Sequence, residues 1–549
     1  MPLKKSNKIL ILIVIVLLFI LWVPQFLVSV YFQKRIIERL QKEIIVATDS
    51  SYSAKIGHFD IDILSTSLRL EGVEFLNVKE KRDYVRPLYH FTADRIKIEN
   101  FAWMDLIRNN DFKIHKLVFE NPQMKIWQGI KMGKATDENK DTTAFSFYKV
   151  IQPVFNSLAI KKIEVENAGI IIYKPFSDTT IVFNSRDNNV DIRNFRIDES
   201  ASLSGRYFLA DTFNVDIRKF TYVLADGLYT LKAQHCETSY TDSSMKIVDA
   251  ELIPNYSKKE FDDEVGHQTD RMKINAASVQ LTGMNVNLFF EDNTLIAQQL
   301  LIDSLNLYAF RDKNLARKPE EIPSLQKVIK SLPLYMAVEK VKVLHSTITY
   351  EEVAPGQSKS GRIFFSDVNA TLTGLINDSA SITSENKLVM IASSRFMNSG
   401  KVEAQYTFPM QTDLMVFDCK GSITGLKMTD LNQIVEPNAN IKIKEGVVDK
   451  MEFDFKANDI RSTGKMTFLY HDLVVELKDK QTHQTKFKED VLSFLVNKII
   501  IKRDNPLKNK EVRITPISYE RNRQRFIFNY TWKSLLSGIK PTIGLPNKK

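Results

Sequence analysis

The chain has 549 residues, of which 44% are apolar, 10% aromatic and 26% charged. That apolar content excludes a disordered chain, and the low counts of Gly (19) and Pro (17) exclude a linker-rich or fibrous one. The net charge of +10 comes from 76 basic and 66 acidic residues interspersed along the chain, not from the clustered basic patch that nucleic-acid binding needs. The 34 Phe, with abundant Ile and Val, favour strands.

Ile9 to Val23 (ILILIVIVLLFILWV) carries no polar side chain, and the run resumes after Pro24-Gln25 as far as Phe32. The total of about 24 residues predicts a helix long enough to span a bilayer. Ile9, Leu12, Val16, Phe19, Trp22, Phe26 and Tyr31 are its anchor positions. A cleaved signal peptide would have a shorter apolar core and a small-residue cleavage site, and none follows. Lys4, Lys5 and Lys8 precede the span; Lys34, Arg35, Arg39 and Lys42 follow it. Charge counting therefore leaves the orientation open.

Gln33–Val46 has helical spacing at Ile36, Ile37, Leu40 and Ile44 and continues the anchor. A meander of short strands then runs through Ile56, Ile61, Ile63, Leu68, Leu70, Val73 and Phe75, broken at Gly57, Ser65–Ser67 and Gly72. Ala102–Arg108 reads as a helical turn or two, and Ile114–Ile126 as a hairpin around Asn121-Pro122. Lys131–Thr143 is a polar loop.

A unit then appears twice. KVIQPVFNSLAIKKIEV starts at Lys149 and KVIKSLPLYMAVEKVKV at Lys327, an offset of 178 residues from Lys149 to Lys327. Each copy reads as a short helix (Tyr148–Asn156, Ser324–Ser331), a strand, a tight turn and a second strand, which suggests an array. Between the copies, apolar parity shifts at Gly283, from Val279 and Leu281 to Met284, Val286, Leu288 and Phe290, as at a bulge or turn between strands.

The period-two pattern is cleanest at Ile441 and Ile443; Met451, Phe453 and Phe455; Met466, Phe468 and Tyr470; and Leu473, Val475 and Leu477. Glu445-Gly446, Asn458-Asp459 and His471-Asp472 read as turns between them. Glu489–Asn497 reads as a helix. FIFNYTW (Phe526–Trp532) reads as a strand, with helical spacing from Trp532 onward. The resulting blocks are 1–32 (anchor), 33–143 (helix and first β unit), 144–322 (first repeat block) and 323–549 (second repeat block and C-terminal region).

No catalytic, phosphate-cradling or metal motif is present, and the eight His are dispersed. No cofactor and no enzyme activity are expected. Cys236 and Cys419 have no metal-ligand spacing, and whether they pair is left open.

The anchor leading into a helix and SLRLEGVEFLNV, the ADRIKIENF…KIHKLVFENPQMKIW unit, and the stretch GSITGLKMTDLNQIVEP…IKIKEGVVDKMEFDFKANDIRSTGKMTFLYHDLVVEL together resemble the AsmA-like family, within the wider AsmA, TamB and YhdP group. The resemblance covers most of the chain and is one of pattern. It implies an inner-membrane protein with a cytoplasmic N-terminus and a periplasmic body. It also implies an elongated, curled antiparallel β-sheet, mostly β with a few short helices, forming a hydrophobic groove for phospholipid or another acyl lipid. Alternation puts Ile163, Val165, Val341, Val343, Ile441, Ile443, Met451, Phe453, Phe455, Met466, Phe468, Tyr470 and Val475 on the groove side. The competing expectation is a non-catalytic envelope scaffold that binds protein partners.

Overall fold

Twenty-one strands and a few short helices make the described chain mostly β in the computed structural model. The structure describes residues 52–62, 65–77, 87–129, 156–175, 177, 179–198, 209–439, 441–477 and 501–546, with Ile37, Glu38, Gln41 and Lys42 helical. The expected anchor (Ile9, Leu12, Val16, Phe19, Trp22, Phe26, Tyr31), the polar loop 131–143, most of the helix at 148–156 and the helix at 489–497 lie outside the described residues. No described helix is long and apolar enough to cross a membrane. Two compact units are present. One holds the chain through Val223 with Ala233–Asp242, and the other holds Leu224–Lys232 with Ser243 onward.

In the first unit, β1 (Tyr52–Asp62), β2 (Ser67–Asn77) and β3 (Leu88–Phe101) form the expected antiparallel meander. A helix follows as expected, α1 (Trp103–Asn109). The sheet is mixed, however, where an antiparallel one was expected. β4 (Asp111–Glu120) and β5 (Gln123–Trp127) both run antiparallel to β3 and parallel to β6 (Ser157–Tyr173). They are two segments of one line interrupted at Asn121-Pro122, not the arms of a hairpin. Pro122 has no N–H for the ladder, and its carbonyl still accepts from Gly169 N at 2.8 Å. β7 (Ile181–Ile197) and β8 (Thr212–Val223) continue antiparallel from β6. β9 (Tyr229–Ser239) is divided between the units.

The second unit repeats the pattern. β10 (Ser244–Pro254) is followed by α2 (Lys258–Val265), capped reciprocally by Ser257 and Glu260. β11 (Arg271–Thr282) then leads into α3 (Val286–Glu291). This helix replaces the strand expected after Gly283. Asn285 Oδ1 accepts from Leu288 N at 3.1 Å, so an N-cap overrides the local alternation. β12 (Thr294–Asp303) and β13 (Asn306–Asp312) are again collinear, and both run parallel to β14 (Tyr335–Val353). The intervening crossover carries the expected helix, α4 (Leu325–Lys330), which returns the chain to the same end as a parallel pair requires. Antiparallel β15 (Ser360–Ile376), β16 (Lys387–Phe396), β17 (Gly400–Pro409), β18 (Phe417–Lys427), β19 (Ile441–Ala457), β20 (Arg461–Leu477) and β21 (Ile514–Glu520) follow. α5 (Asn432–Ala439) precedes β19, and α6 (Ile527–Thr542) closes the unit. The segment expected as the strand FIFNYTW is therefore mostly the start of α6. Its period-two residues yield to a helical face on which Ile527, Tyr530, Thr531, Ser534 and Leu535 are buried.

The repeated stretch is a single long strand in each copy, not two strands joined by a tight turn. One left-handed residue bends it: Asn167 (φ 55°) in β6 and His345 (φ 49°) in β14. The neighbouring strands bend beside it. Gly72, Asn121, Asp187 and Lys219 have positive φ in the first unit, as do Asp249, Ser304 and Asp367 in the second. Side chains accept the N–H groups this leaves over. Asn189 Oδ1 takes Asn167 N and Asn369 Oδ1 takes His345 N, both at 3.1 Å. Gly446 and Asp472, expected as turns, likewise lie at positive φ inside β19 and β20, with register shifts beside Gly446 in β19. Asn458-Asp459 is a turn, as expected. Each bend adds one residue, so alternation resumes with opposite parity and the apolar side chains keep one face. Thus Ile163 and Val165 are followed by Ile170 and Ile172, and Val341 and Val343 by Ile348 and Tyr350.

A β-branched residue resists the left-handed conformation by roughly 1–2 kcal/mol. Asn167→Val is therefore expected to destabilise the protein by about that amount, while Asn167→Gly stays near neutral. Denaturant titration decides, and equal effects of the two would refute the bend as the reason for Asn167.

Candidate functional site

Register places apolar residues in rungs across each unit. In the first, Ile61, Leu68, Ile98, Leu117, Ile163, Ile192 and Phe213 are successive partners on seven strands. The adjacent rung on the same face is Phe59, Leu70, Ile96, Phe119, Val165, Val190 and Val215. Of these side chains only Phe59 (5%) and Ile61 (8%) are buried. The rest stay partly exposed, so the face is apolar and open. α1 lies toward one end of these strands, where Leu106 packs with Phe101, Ile114 and Ile160.

The opposite face of the first unit is ionic. Arg95 bridges Glu71 (3.1 Å) and Glu120 (2.7 Å), Lys116 reaches Glu164 (2.6 Å), and Lys162 and Arg193 share Asp191 (3.6 and 3.0 Å). Burial pushes the Glu164 carboxyl up, but the bonds from Lys116 and Lys162 outweigh it and leave it below its ordinary value. A hollow of about 490 Å³ on this side is lined by Glu164, Asp191, Asp216, Glu237 and Asp242. Three of these carboxylates have basic partners: Glu164 holds two lysines, Asp191 holds Lys162 and Arg193, and Asp216 holds Arg218 (2.9 Å) and His235 (2.7 Å).

In the second unit one rung runs Met245, Leu281, Leu300, Val341, Leu372, Met390, Tyr406, Cys419, Phe455, Gly464 and Ile517. Its members before Cys419 are partly exposed except Val341 (5%); Cys419, Phe455 and Ile517 are each 1% exposed. α6 produces that gradient. Tyr530 meets Phe417 edge-on at 5.7 Å, Ser534 bonds Ser462 at 2.7 Å, and Thr515 bonds the carbonyl of Gly538 at 2.8 Å.

The expected lining residues therefore divide. Ile163 and Val165 lie on the open face. Val341 is buried with Ala297 and Val338, and Val343 is partly exposed beside it. Ile443, Met451, Phe453, Phe455, Met466, Phe468 and Tyr470 belong to a closed core, with Val475 packed against it. Ile441 is also buried. Sequence reasoning missed α6 as the cover of this core.

Both cysteines are free. Burial pushes the Cys419 thiol up to about 12, which removes it from nucleophilic chemistry near neutral pH. His90, His235, His345 and His471 each face a carboxylate, of Glu74, Asp216, Asp303 and Asp449. Among the described residues no group of His, Cys, Asp and Glu could hold a metal ion. No protein-family model matches the chain, and no curated protein matches it.

Proposed function

We propose that this protein binds the acyl chains of phospholipid or a similar lipid on its open apolar face and contributes to lipid movement in a bacterial envelope. In this reading the N-terminal apolar segment anchors the chain in the inner membrane and the β body lies in the periplasm. The observation that carries the lipid-binding part is the pair of rungs whose side chains, on six of their seven strands, are apolar yet partly exposed. Five gaps of about 4.8 Å give about 24 Å of continuous, partly exposed apolar surface. That exceeds half of the roughly 30 Å hydrocarbon thickness of a bilayer, enough for a whole acyl chain. Each buried CH₂ contributes about 0.8 kcal/mol, so a long chain is held firmly while its headgroup stays wet.

A second reading, a scaffold for envelope proteins, draws on the end where α6 closes the apolar face. There Phe528 (75%) and Trp532 (47%) project from the helix into solvent. The discriminating experiment is lipid extraction from the full chain purified in mild detergent, followed by mass spectrometry. Retained phospholipid near one mole per mole of protein after washing is the expected result. Lipid-free protein that also fails to bind a fluorescent fatty acid overturns the lipid reading.

A further inference from the structure

The apolar face of the second unit changes character at one rim. Along β13 the residues on this face are Leu307, Ala309 and Arg311; along β14 their partners are Ile348, Tyr350 and Glu352. Two apolar rungs thus end in a charged one. Arg311 holds Asp270 through two bonds (2.7 and 2.6 Å), and Lys313 pairs with Glu352. Both carboxylates are therefore already engaged.

Two further guanidinium groups sit beside them without such partners. The Gln268 amide bonds the carbonyls of Lys313 (3.0 Å) and Leu315 (2.8 Å), which fixes the loop carrying Arg317. Among the described residues, the Arg317 guanidinium hydrogen-bonds only the neutral Gln268 oxygen, at 3.4 Å. Residues 319–322 are stitched to 521–524: Ile322 N donates to Arg523 O at 2.9 Å, and Gln524 Nε2 to Pro319 O at 3.2 Å. That stitching holds Arg525 near the segment that carries Arg317. The half-buried Arg525 side chain makes no hydrogen bond or ion pair with the described residues. Burial, then the cationic neighbours Arg317 and Arg311, hold its pKa below the ordinary value. Lys533 on α6 is lowered by burial, then by Lys540, Lys313 and Arg525. Arg317 and Arg525 thus place two guanidinium groups in a partly dry place, neither paired with a carboxylate of the described residues, which favours a bound anion.

We propose that Arg317 and Arg525, flanked by Lys533 and Lys540, bind the phosphate of an anionic lipid whose acyl chains lie on the adjoining, partly exposed strip of Leu307, Ile348 and Tyr350. The inference rests on the lipid-binding reading above and adds the headgroup chemistry. Guanidinium forks match phosphate oxygens in bidentate fashion, and a phosphate diester and a free phosphate ion share that chemistry.

The test uses the full chain in neutral detergent, with three probes: short-chain phosphatidylglycerol, diacylglycerol of the same chain length, and inorganic phosphate. The expected result is at least tenfold tighter binding of phosphatidylglycerol than of diacylglycerol. In R317Q/R525Q that ratio should fall to near one, with diacylglycerol binding and thermal stability unchanged. Neither arginine has an ion pair to lose, so the variant is expected to fold; K540Q, with a smaller loss of the same ratio, is the independent check. Equal binding of the two lipids by the wild-type chain overturns the headgroup site and leaves the apolar face standing. Binding of inorganic phosphate with neither lipid overturns the lipid assignment of the site. Failure to bind all three probes overturns both readings.

Discussion

Phe453→Asp is expected to prevent the second unit from folding, seen as loss of its cooperative thermal transition. Phe453 is 6% exposed and packs with Phe455, their ring centroids 6.4 Å apart. Its ring lies over Gly421, where an added Cβ would stand 2.7 Å from Cζ, so the space is already fully used. Removing the ring costs about 3–5 kcal/mol, and an unpaired buried carboxylate adds several more. Domains of ordinary stability have only about 5–15 kcal/mol to lose. Phe455→Ala, at 1% exposure, is the milder form and should destabilise by about 3–5 kcal/mol. A Phe453→Asp protein that melts like the wild type would show that the core beneath α6 is open in solution.

These positions show how far the sequence could be read. Alternation marked Phe453, Phe455, Met466 and Tyr470 as facing one way, and they do. It could not say whether that face meets solvent, lipid or another element. The answer depends on α6, more than fifty residues further along the chain and itself read as starting with a strand. The helix hid because Phe526, Phe528 and Tyr530 mimic strand alternation, although Phe528 is exposed and Tyr530 is buried. The repeat was visible as sequence, but its internal geometry was not. A turn and a left-handed bend both use Asn or Gly, and only pairing with neighbours tells them apart. One signal was available: parity changes between Ile56 and Ile61, and between Leu70 and Val73, which fit a bent strand at Gly57 and Gly72. The parallel pairs were harder to foresee, because a crossover helix such as α4, which allows them in the second unit, reads the same in either topology. The cationic rim escaped entirely, since Arg317 and Arg525 are 208 positions apart and only the 319–322 stitching joins them.

The double change Ile163→Asp with Val165→Asp should instead leave the fold intact and release the lipid held on the first unit. Both side chains are partly exposed, so the new carboxylates keep their water and avoid the burial penalty that Phe453→Asp incurs. They stand inside the two rungs, fifth of seven, between Leu117 and Ile192 and between Phe119 and Val190. A chain lying along the rungs must cross them, and two charges there exclude it from the central strands. Loss of apolar contact for about four CH₂ groups removes roughly 3 kcal/mol, which is about a hundredfold in affinity. Mass spectrometry of co-purified lipid and displacement of a fluorescent fatty acid measure this directly. Lys162→Glu, on the opposite ionic face, is the control: it breaks the pairs with Glu164 and Asp191 yet should leave lipid content unchanged. Full lipid retention in the double variant would mean that the open face of the first unit is not where the acyl chain lies. It would equally favour a protein partner for that face, whose binding the two carboxylates should then abolish.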